Sequence, residues 1–573
     1  MSNFAFLQSE WSLLFEAAIK AEGMANTDAR ASCFYARRTL ELAVDWLYKH
    51  DKAFRLPYQD QLSALIHEPS FRQVVGDALF TKARLIKDLG NLAVHSTRKV
   101  APADALVATR ELFHFCYWLA RTYGQRARPD PSLQFSAALL PKATAAQPQS
   151  LEQLQKLEAQ LHERDEKLST LLSSQAALNA ELQALREQVA AAKKANTAQP
   201  DTHDYSEAET RDYFIDLLLK EAGWELDQKN FEIEVSGMPN NAGQGFVDYV
   251  LWGDDGLPLA LVEAKRTKKD AKVGQQQAKL YADCLEAQYG QRPVIFYSNG
   301  YQHWLWDDAR YAPRAVQGFF KKPELELMVQ RRASRKKLAD AVVNGDIIER
   351  YYQTRAVRRI GETFEVDNQR KALVVMATGA GKTRTVIALA DVLMRCNWAK
   401  RVLFLADRVA LVNQAVNAFK THLPDSSPVN LVTEKYTEGR VFVSTYPTMM
   451  GLIDDAFDGQ RRFGVGHFDL IIIDEAHRSV YQKYRAIFEY FDALLVGLTA
   501  TPKDEIDHNT YGLFDLESGV PTDAYGLDEA VADGYLVPPK AVSVPLKFQR
   551  EGIKYDDLSE AEQEQWDALE WNE

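Results

Sequence analysis

Two segments of this chain carry residues whose types and spacing suit nucleotide phosphate chemistry. Residues 376 to 383 read Met-Ala-Thr-Gly-Ala-Gly-Lys-Thr, between the apolar run Ala372-Leu373-Val374-Val375 and the helix-forming Val386-Ile387-Ala388-Leu389-Ala390. A strand, a glycine-rich turn and a helix are the context a phosphate-binding loop requires. Backbone amides of Thr378, Gly379, Ala380 and Gly381 can close around phosphates, Lys382 reaches the β and γ oxygens, and the Thr383 hydroxyl can ligate magnesium. Asp474-Glu475-Ala476-His477 ends a second apolar run, Leu470-Ile471-Ile472-Ile473. At that strand end Asp474 can hold magnesium opposite the loop, while Glu475 can polarise the attacking water.

A second constellation lies upstream. Phe246-Val247-Asp248-Tyr249-Val250-Leu251-Trp252 reads as a strand, Gly253-Asp254-Asp255-Gly256 as a hairpin turn, and Leu259-Ala260-Leu261-Val262-Glu263-Ala264-Lys265 as the returning strand. Side chains two apart in a strand share a face, so Glu263 and Lys265 point the same way, and the turn brings Asp248 beside them. Asp248 and Glu263 can ligate a metal, while Lys265 can orient or deprotonate water and offset charge on the phosphorane. The predicted chemistry is magnesium-dependent phosphodiester cleavage. Glu-Ala-Lys alone would read as a surface hairpin with an ion pair, but Asp248 interrupts an otherwise apolar strand. Gln277 and Tyr281 follow, four apart and therefore on one helical face. Glu209, on the preceding predicted helix 208–221, is a further acidic candidate.

The elements that position these residues resemble known families. Gln353, where an adenine-reading glutamine is expected, and Leu498-Thr499-Ala500-Thr501-Pro502 join the loop and Asp474–His477 in resembling motifs Q, I, II and III of superfamily 2 helicases. The resemblance covers roughly 347–539 and implies an ATP site that includes His477, Thr499 and Thr501. Val402 to Gln414 and Val443-Ser444-Thr445-Tyr446 resemble motifs Ia and Ib, which touch the nucleic-acid backbone. Asp248, Glu263, Lys265, Gln277 and Tyr281 resemble the PD-(D/E)xK nuclease core with its Gln-x-x-x-Tyr extension, although Val247 stands where that family often has proline.

The expected fold is multidomain: an α-helical N-terminal domain and a coiled-coil helix, an α/β nuclease domain, then an α/β RecA-like parallel-sheet ATPase lobe. Residues 1–125 read as helical, and Leu89-Gly90-Asn91-Leu92-Ala93-Val94-His95 resembles the closing motif of HEPN-like domains, with a structural or partner-binding role expected for His95. A turn-rich linker occupies 126–150. Leucines from Leu154 to Leu185, continued by Val189, form a heptad seam over 151–196, interrupted at Arg164 and Gln175. One continuous helix there would extend on the order of 60 Å, either packed back on its own chain or meeting another subunit. The nuclease domain is expected at 204–320, a basic linker at 321–350, the motor lobe at 351–540, and the start of a connection to a second lobe at 541–573.

A nuclease core followed by a helicase-type motor resembles the restriction (R) subunit of type I restriction-modification enzymes. That resemblance implies ATP and Mg2+ as cofactors, double-stranded DNA as substrate, and methyltransferase (M) and specificity (S) subunits as partners. The alternative is a nucleic-acid-dependent ATPase or an assembly subunit whose nuclease-like domain only grips DNA. No Gln-x-x-Gly-Arg-x-x-Arg segment follows Pro502, so the second motor lobe is expected to be missing, leaving a fragment or split subunit with weak nucleotide binding and no translocation.

Composition fits this reading. Hydrophobic content of 46% and charged content of 26% are those of a globular chain without a long apolar span, which points to the cytoplasm. The net charge of -12 does not exclude DNA, which is bound by local patches. Lys265-Arg266 with Lys268-Lys269, and Arg331-Arg332 with Arg335-Lys336-Lys337, are the candidate phosphate contacts. Cys33, Cys116, Cys284 and Cys396 lack metal-ligand spacing and read as reduced structural thiols.

Overall fold

The computed structural model describes residues 2–538, apart from 58–60, 127, 143–148, 174–175, 199–202, 204–207, 228–229, 242, 265–273, 435–436, 458–459, 477 and 502–507. The chain begins with a helical layer: α1 (Ser12–Met24), α2 (Ala29–His50), α3 (Leu62–His67), α4 (Pro69–Val75), α5 (Asp77–His95) and α6 (Pro102–Tyr123). Asp28 starts α2 by accepting the Ala31 amide at 3.0 Å, which satisfies one of the unpaired donors of the first turn. Gly90 lets α5 lie against α2: a Cβ there would fall 2.3 Å from that of Arg37. The Gly90-Asn91 step of the HEPN-like motif therefore has a packing reason. All four cysteines are buried and unbridged.

The heptad segment is two helices, α7 (Leu151–Ser173) and α8 (Ala176–Thr197), and this corrects the expectation of one long coiled-coil rod. The seam interruption at Gln175 falls between them, outside the described residues. Leu154 and Val189 are buried against the helical layer. Polar ties pin both helices there: Arg37 to Glu158 at 2.6 Å, Arg38 to Asp165 at 2.6 Å, and Asn196 donating to the Gly124 carbonyl at 3.0 Å. An apolar seam needs a cover, and for Leu154 and Val189 the chain's own helical layer supplies it.

Next come α9 (Ala208–Glu221) and a six-stranded sheet in sequential order: β1 (Phe231–Ser236), β2 (Gln244–Trp252), β3 (Pro258–Ala264), then α10 (Gln275–Tyr289), β4 (Val294–Ser298), β5 (His303–Trp306) and β6 (Arg314–Val316). β3 and β4 are parallel, bridged by α10, and the other neighbours are antiparallel. Val250, Leu261, Ile295 and Tyr297 pack beneath α10, whereas Tyr249, Val262 and Phe296 face the opposite layer with Phe214 of α9. This is the period-2 alternation of a sheet covered on both sides.

After α11 (Lys322–Ser334) and α12 (Tyr351–Glu365) the chain builds a seven-stranded parallel sheet from β7 (Lys371–Met376), α13 (Lys382–Arg395), β8 (Val402–Ala406), α14 (Val409–His422), β9 (Pro428–Asn430), β10 (Val441–Thr445) and α15 (Tyr446–Leu452). A short hairpin, β11 (Ala456–Phe457) and β12 (Gln460–Arg461), precedes β13 (Leu470–Ile473), α16 (Arg478–Tyr490), β14 (Leu494–Thr499), α17 (His508–Leu513), β15 (Asp523–Tyr525) and α18 (Leu527–Ala532). Strand order is β15-β7-β14-β13-β8-β10-β9. The central strands are buried along their whole length, as parallel sheets with both faces covered require.

The basic run after residue 330 folds inward. Arg331 pairs with Asp469, Arg332 with Asp307 at 2.8 Å, and the Arg335 guanidinium lies 4.8 Å from the Trp398 ring. These three side chains clamp α11 and its exit to the two sheets, so the expected phosphate contact does not apply to them. The other basic cluster, from Lys265, lies outside the described residues. No described helix is long and apolar enough to cross a membrane.

Candidate functional site

The β2–β3 hairpin turns through Gly253–Leu257, with Gly256 at φ +77° and the Gly253 amide donating to the Leu257 carbonyl at 2.9 Å. Its register pairs Tyr249 with Val262, which sets Asp248 and Glu263 at adjoining positions of the two strands. Leu261, two before Glu263, and Tyr297, its neighbour on β4, pack beneath α10. Asp248 Oδ2 accepts the Ala264 amide at 2.7 Å, fixing its carboxylate at the end of β3, and Glu263 is only 3% exposed. A charge so placed is stable only beside a cation or donors, the setting of a metal ligand. On α10, Gln277 Nε2 donates to the Tyr281 hydroxyl at 2.7 Å. Gly245 makes room for that tyrosine: a Cβ there would lie 2.6 Å from its ring. Asp248 and Glu263 thus stand together at the end of β3, and Gln277 and Tyr281 lie on the helix that packs over that strand. Lys265 lies outside the described residues. Among the described residues no group of three or more His, Cys, Asp or Glu is placed to hold a metal ion. The donor set there is the carboxylate pair, which suits magnesium that keeps water and phosphate oxygens in its remaining positions.

The second site runs along the C-terminal ends of the parallel strands. Strand order sets the loop after β7, Thr499 at the end of β14 and Asp474 after β13 next to one another. Gly379 and Gly381 take φ of +86° and +92°, the left-handed region that turns successive amides inward. Lys382, at the start of α13, places Nζ 3.5 Å from the Met376 carbonyl and 3.8 Å from Glu475 Oε1, between the loop and the acidic pair. Burial raises the Asp474 carboxyl, Glu475 adds to the rise, and Lys382 opposes it. Two acids and one lysine in this arrangement favour an added cation. The Ala476 amide donates to the Leu498 carbonyl at 2.7 Å, and Thr499 Oγ1 accepts the Thr501 amide at 3.1 Å, linking the segments around Asp474 and Thr499. Thr383 follows Lys382 in the first turn of α13, half-buried. His477 lies outside the described residues.

Gln353 is buried under the loop, its Nε2 3.2 Å from the Ala380 carbonyl and 3.4 Å from that of Gly381. Tyr352 donates its hydroxyl to the same Ala380 carbonyl at 2.8 Å and stacks on Tyr525 with ring centroids 3.6 Å apart. The segment expected to read adenine therefore also props the phosphate loop. Sequence reasoning gave Tyr352 and Tyr249 no role and placed Tyr446 only within the resemblance to motif Ib. The Tyr446 hydroxyl donates to the Asp474 carbonyl at 2.8 Å, and that of Tyr249 donates to Asp216 at 3.0 Å. Their signal was adjacency, since each stands beside or within a motif already singled out.

Comparison with known proteins reaches both α/β parts of the chain. Residues 206–317 match the model of the type I restriction enzyme R protein N terminus, and 346–504 match that of the type III restriction enzyme res subunit. Residues 20–164 match a domain of unknown function. The chain is 27% identical over 454 residues to the type I restriction enzyme EcoKI endonuclease subunit of Escherichia coli K12, covering 63% of this chain and 37% of that protein. It is 32% identical over 333 residues to the EcoAI endonuclease subunit of Escherichia coli, covering 53% and 38%. A fragment structure from Vibrio vulnificus YJ016, attributed to an HsdR subunit of a type I restriction enzyme, matches at 26% identity over 57% of this chain and 60% of that one, with a TM-score of 0.27. The chain spans under two fifths of the length of the two Escherichia coli relatives. Over both its six-stranded and its seven-stranded sheet, this chain is similar to the R subunits of type I restriction enzymes.

Proposed function

We propose that the chain supplies the nuclease and a motor lobe of the restriction subunit of a type I restriction-modification enzyme, which moves duplex DNA with ATP and cuts it with Mg2+ alongside M and S subunits. The observation that carries this reading is Asp248, held by the Ala264 amide opposite buried Glu263, in a chain that also sets Lys382 and Asp474 at neighbouring parallel-strand ends. Asp248 and Glu263 would hold magnesium at the cutting site, and Thr383 and Asp474 at the nucleotide site. When bound, the ion supplies positive charge that acidifies water and neutralises phosphate oxygens. The chain's own groups do the remaining work. The amides of Gly379 to Gly381 donate to phosphate oxygens, and Lys382 leaves the Met376 carbonyl to follow them. Glu475 orients water on the far side of Lys382. At the cutting site the Gln277–Tyr281 pair positions the strand being cut, and Lys265 takes or holds the proton of the attacking water.

Nicking of supercoiled plasmid in Mg2+ tests the cutting site. Asp248→Ala and Lys265→Ala are expected to lose about a hundredfold or more in rate, and parent-like rates in both would sink the assignment. Loss of DNA binding rather than of cleavage in Glu263→Ala would favour the gripping alternative. Titration with a fluorescent ATP analogue tests the other site, where Lys382→Ala is expected to abolish binding.

A further inference from the structure

The two sites are joined by a continuous set of packed side chains. At one end the Tyr446 hydroxyl donates to the Asp474 carbonyl at 2.8 Å, and the Tyr446 ring stacks on Tyr484 of α16 at 5.1 Å. Tyr446 opens α15, a helix of about two turns capped by Thr445, and α15 leads through Ile453 to Asp454. Asp454 Oδ1 accepts from Arg461 Nη1 at 2.7 Å and from Lys87 of α5 at 2.9 Å. Arg461, 7% exposed, spends the rest of its fork on two other units: Nη2 donates to Asp88 of α5 at 2.9 Å, and Nε donates to Glu221, the last residue of α9, at 3.1 Å. Five residues back on α9, Asp216 accepts the Tyr249 hydroxyl at 3.0 Å. Tyr249 is the β2 neighbour of Asp248.

Arg461 is therefore the point where helical layer, nuclease-type sheet and motor sheet meet. The charges around it come from all three and balance. The helical layer brings Arg84, Lys87 and Asp88, α9 brings Glu221, and the segment after α15 brings Asp454 and Arg461, giving three cations against three carboxylates. A planar guanidinium reaches three carboxylates on three elements in one relative placement. A shift of α15 that moves Arg461 by about an ångström must break one of those bonds or carry α9 with it, because packed, dry contacts switch rather than stretch.

We propose that Arg461 is a positioning residue that couples nucleoside triphosphate binding at the motor sheet to the placement of Asp248, through Glu221, α9 and Tyr249. The coupling rests on the nucleotide-site reading above. By linkage, whatever a nucleotide does to Asp248 through this route, an occupant at Asp248 does in return to nucleotide affinity.

Hydrogen exchange of the full chain, with and without Mg2+ and the non-hydrolysable adenosine 5′-(β,γ-imido)triphosphate, tests it. In the parent the probe is expected to slow or speed exchange of the β2 amides around Tyr249 about threefold or more. Tyr249→Phe removes one hydroxyl and keeps the ring, so it should erase that nucleotide-dependent change while binding the probe as the parent does. Arg461→Lys keeps the charge, loses the fork, and should do the same. A purely structural role would alter basal exchange and leave the nucleotide-dependent difference in place, which would overturn the coupling. Probe binding with unchanged β2 exchange in the parent would overturn it too and spare the nucleotide site. Failure of the parent to bind the probe would overturn both.

Discussion

Gly381 shows how little freedom the nucleotide site allows at a single residue. Its φ of +92° lies in the left-handed region, and a Cβ there would fall 2.4 Å from Gln353 Nε2. Gly381→Ala therefore adds backbone strain and pushes out the glutamine that props the loop. The expected result is a loss of about 1–3 kcal/mol in stability and a fall of tenfold or more in affinity for an ATP analogue, about 1.4 kcal/mol; fluorescence titration and urea denaturation measure the two. The loop was legible in the sequence because the glycines, Lys382 and Thr383 are consecutive, so the local chain alone fixes their geometry. The fates of Arg331, Arg332 and Arg335 were not. Their partners Asp469, Asp307 and Trp398 are tens of residues away in the chain, and no periodicity announces a long-range ion pair. Gln353 was half legible: its place beside the loop followed from motif order, its bonds to the loop carbonyls did not.

At the scale of elements, the hairpin was nearly complete in the sequence. Expected strands 246–252 and 259–265 lie within one or two residues of β2 and β3, because alternation and the Gly-Asp-Asp-Gly turn both mark them. The heptad seam was read as one helix where there are two, and its cover stayed open, since leucine spacing specifies that a helix needs a cover but not which surface supplies it. Leu154→Ala is accordingly expected to cost about 2–4 kcal/mol of α7 docking, read as faster hydrogen exchange across α7 without a matching change in β2. The start of α11 gives a pH prediction. Glu324 Oε2 accepts the Lys321 amide at 2.9 Å, capping the helix. Burial pushes its carboxyl up to about 7 despite that bond. The folded state then holds a proton that the unfolded chain, near 4.5, has released, so this group's contribution is full below pH 4.5 and is lost as pH rises towards 7. Amides at the start of α11 should open more readily at pH 8 than at pH 5.5, by up to roughly 2 kcal/mol, and Glu324→Gln should flatten the difference.

For the whole molecule, what matters is how the two sheets are held in register, since each site sits on a different one. Arg314, in the last strand of the nuclease-type sheet, grips Asp492 with two bonds of 2.6 Å, and Arg370, just before β7, donates to the same carboxylate at 3.0 Å. Asp492 stands between α16 and β14, so one carboxylate ties the end of the first sheet to the start of the second. Burial alone would raise its carboxyl, but Arg314 and Arg370 outweigh that and hold it down to about 2. The unfolded chain takes up its proton near 3.8, so the stabilisation is complete above that pH and vanishes as pH falls towards 2. Urea denaturation at pH 7 and at pH 3 should show the parent losing about 1 kcal/mol through this group, while Asp492→Asn loses less between the two pH values because it starts without the charge. Asp492→Ala should be worse than either at pH 7, by about 3–5 kcal/mol, because it leaves two buried guanidinium groups facing each other. If the sheets are coupled as Arg461 implies, Asp492→Ala should also loosen β2 and the phosphate loop together, whereas a clamp that served only the motor sheet would leave β2 exchange at the parent's rate.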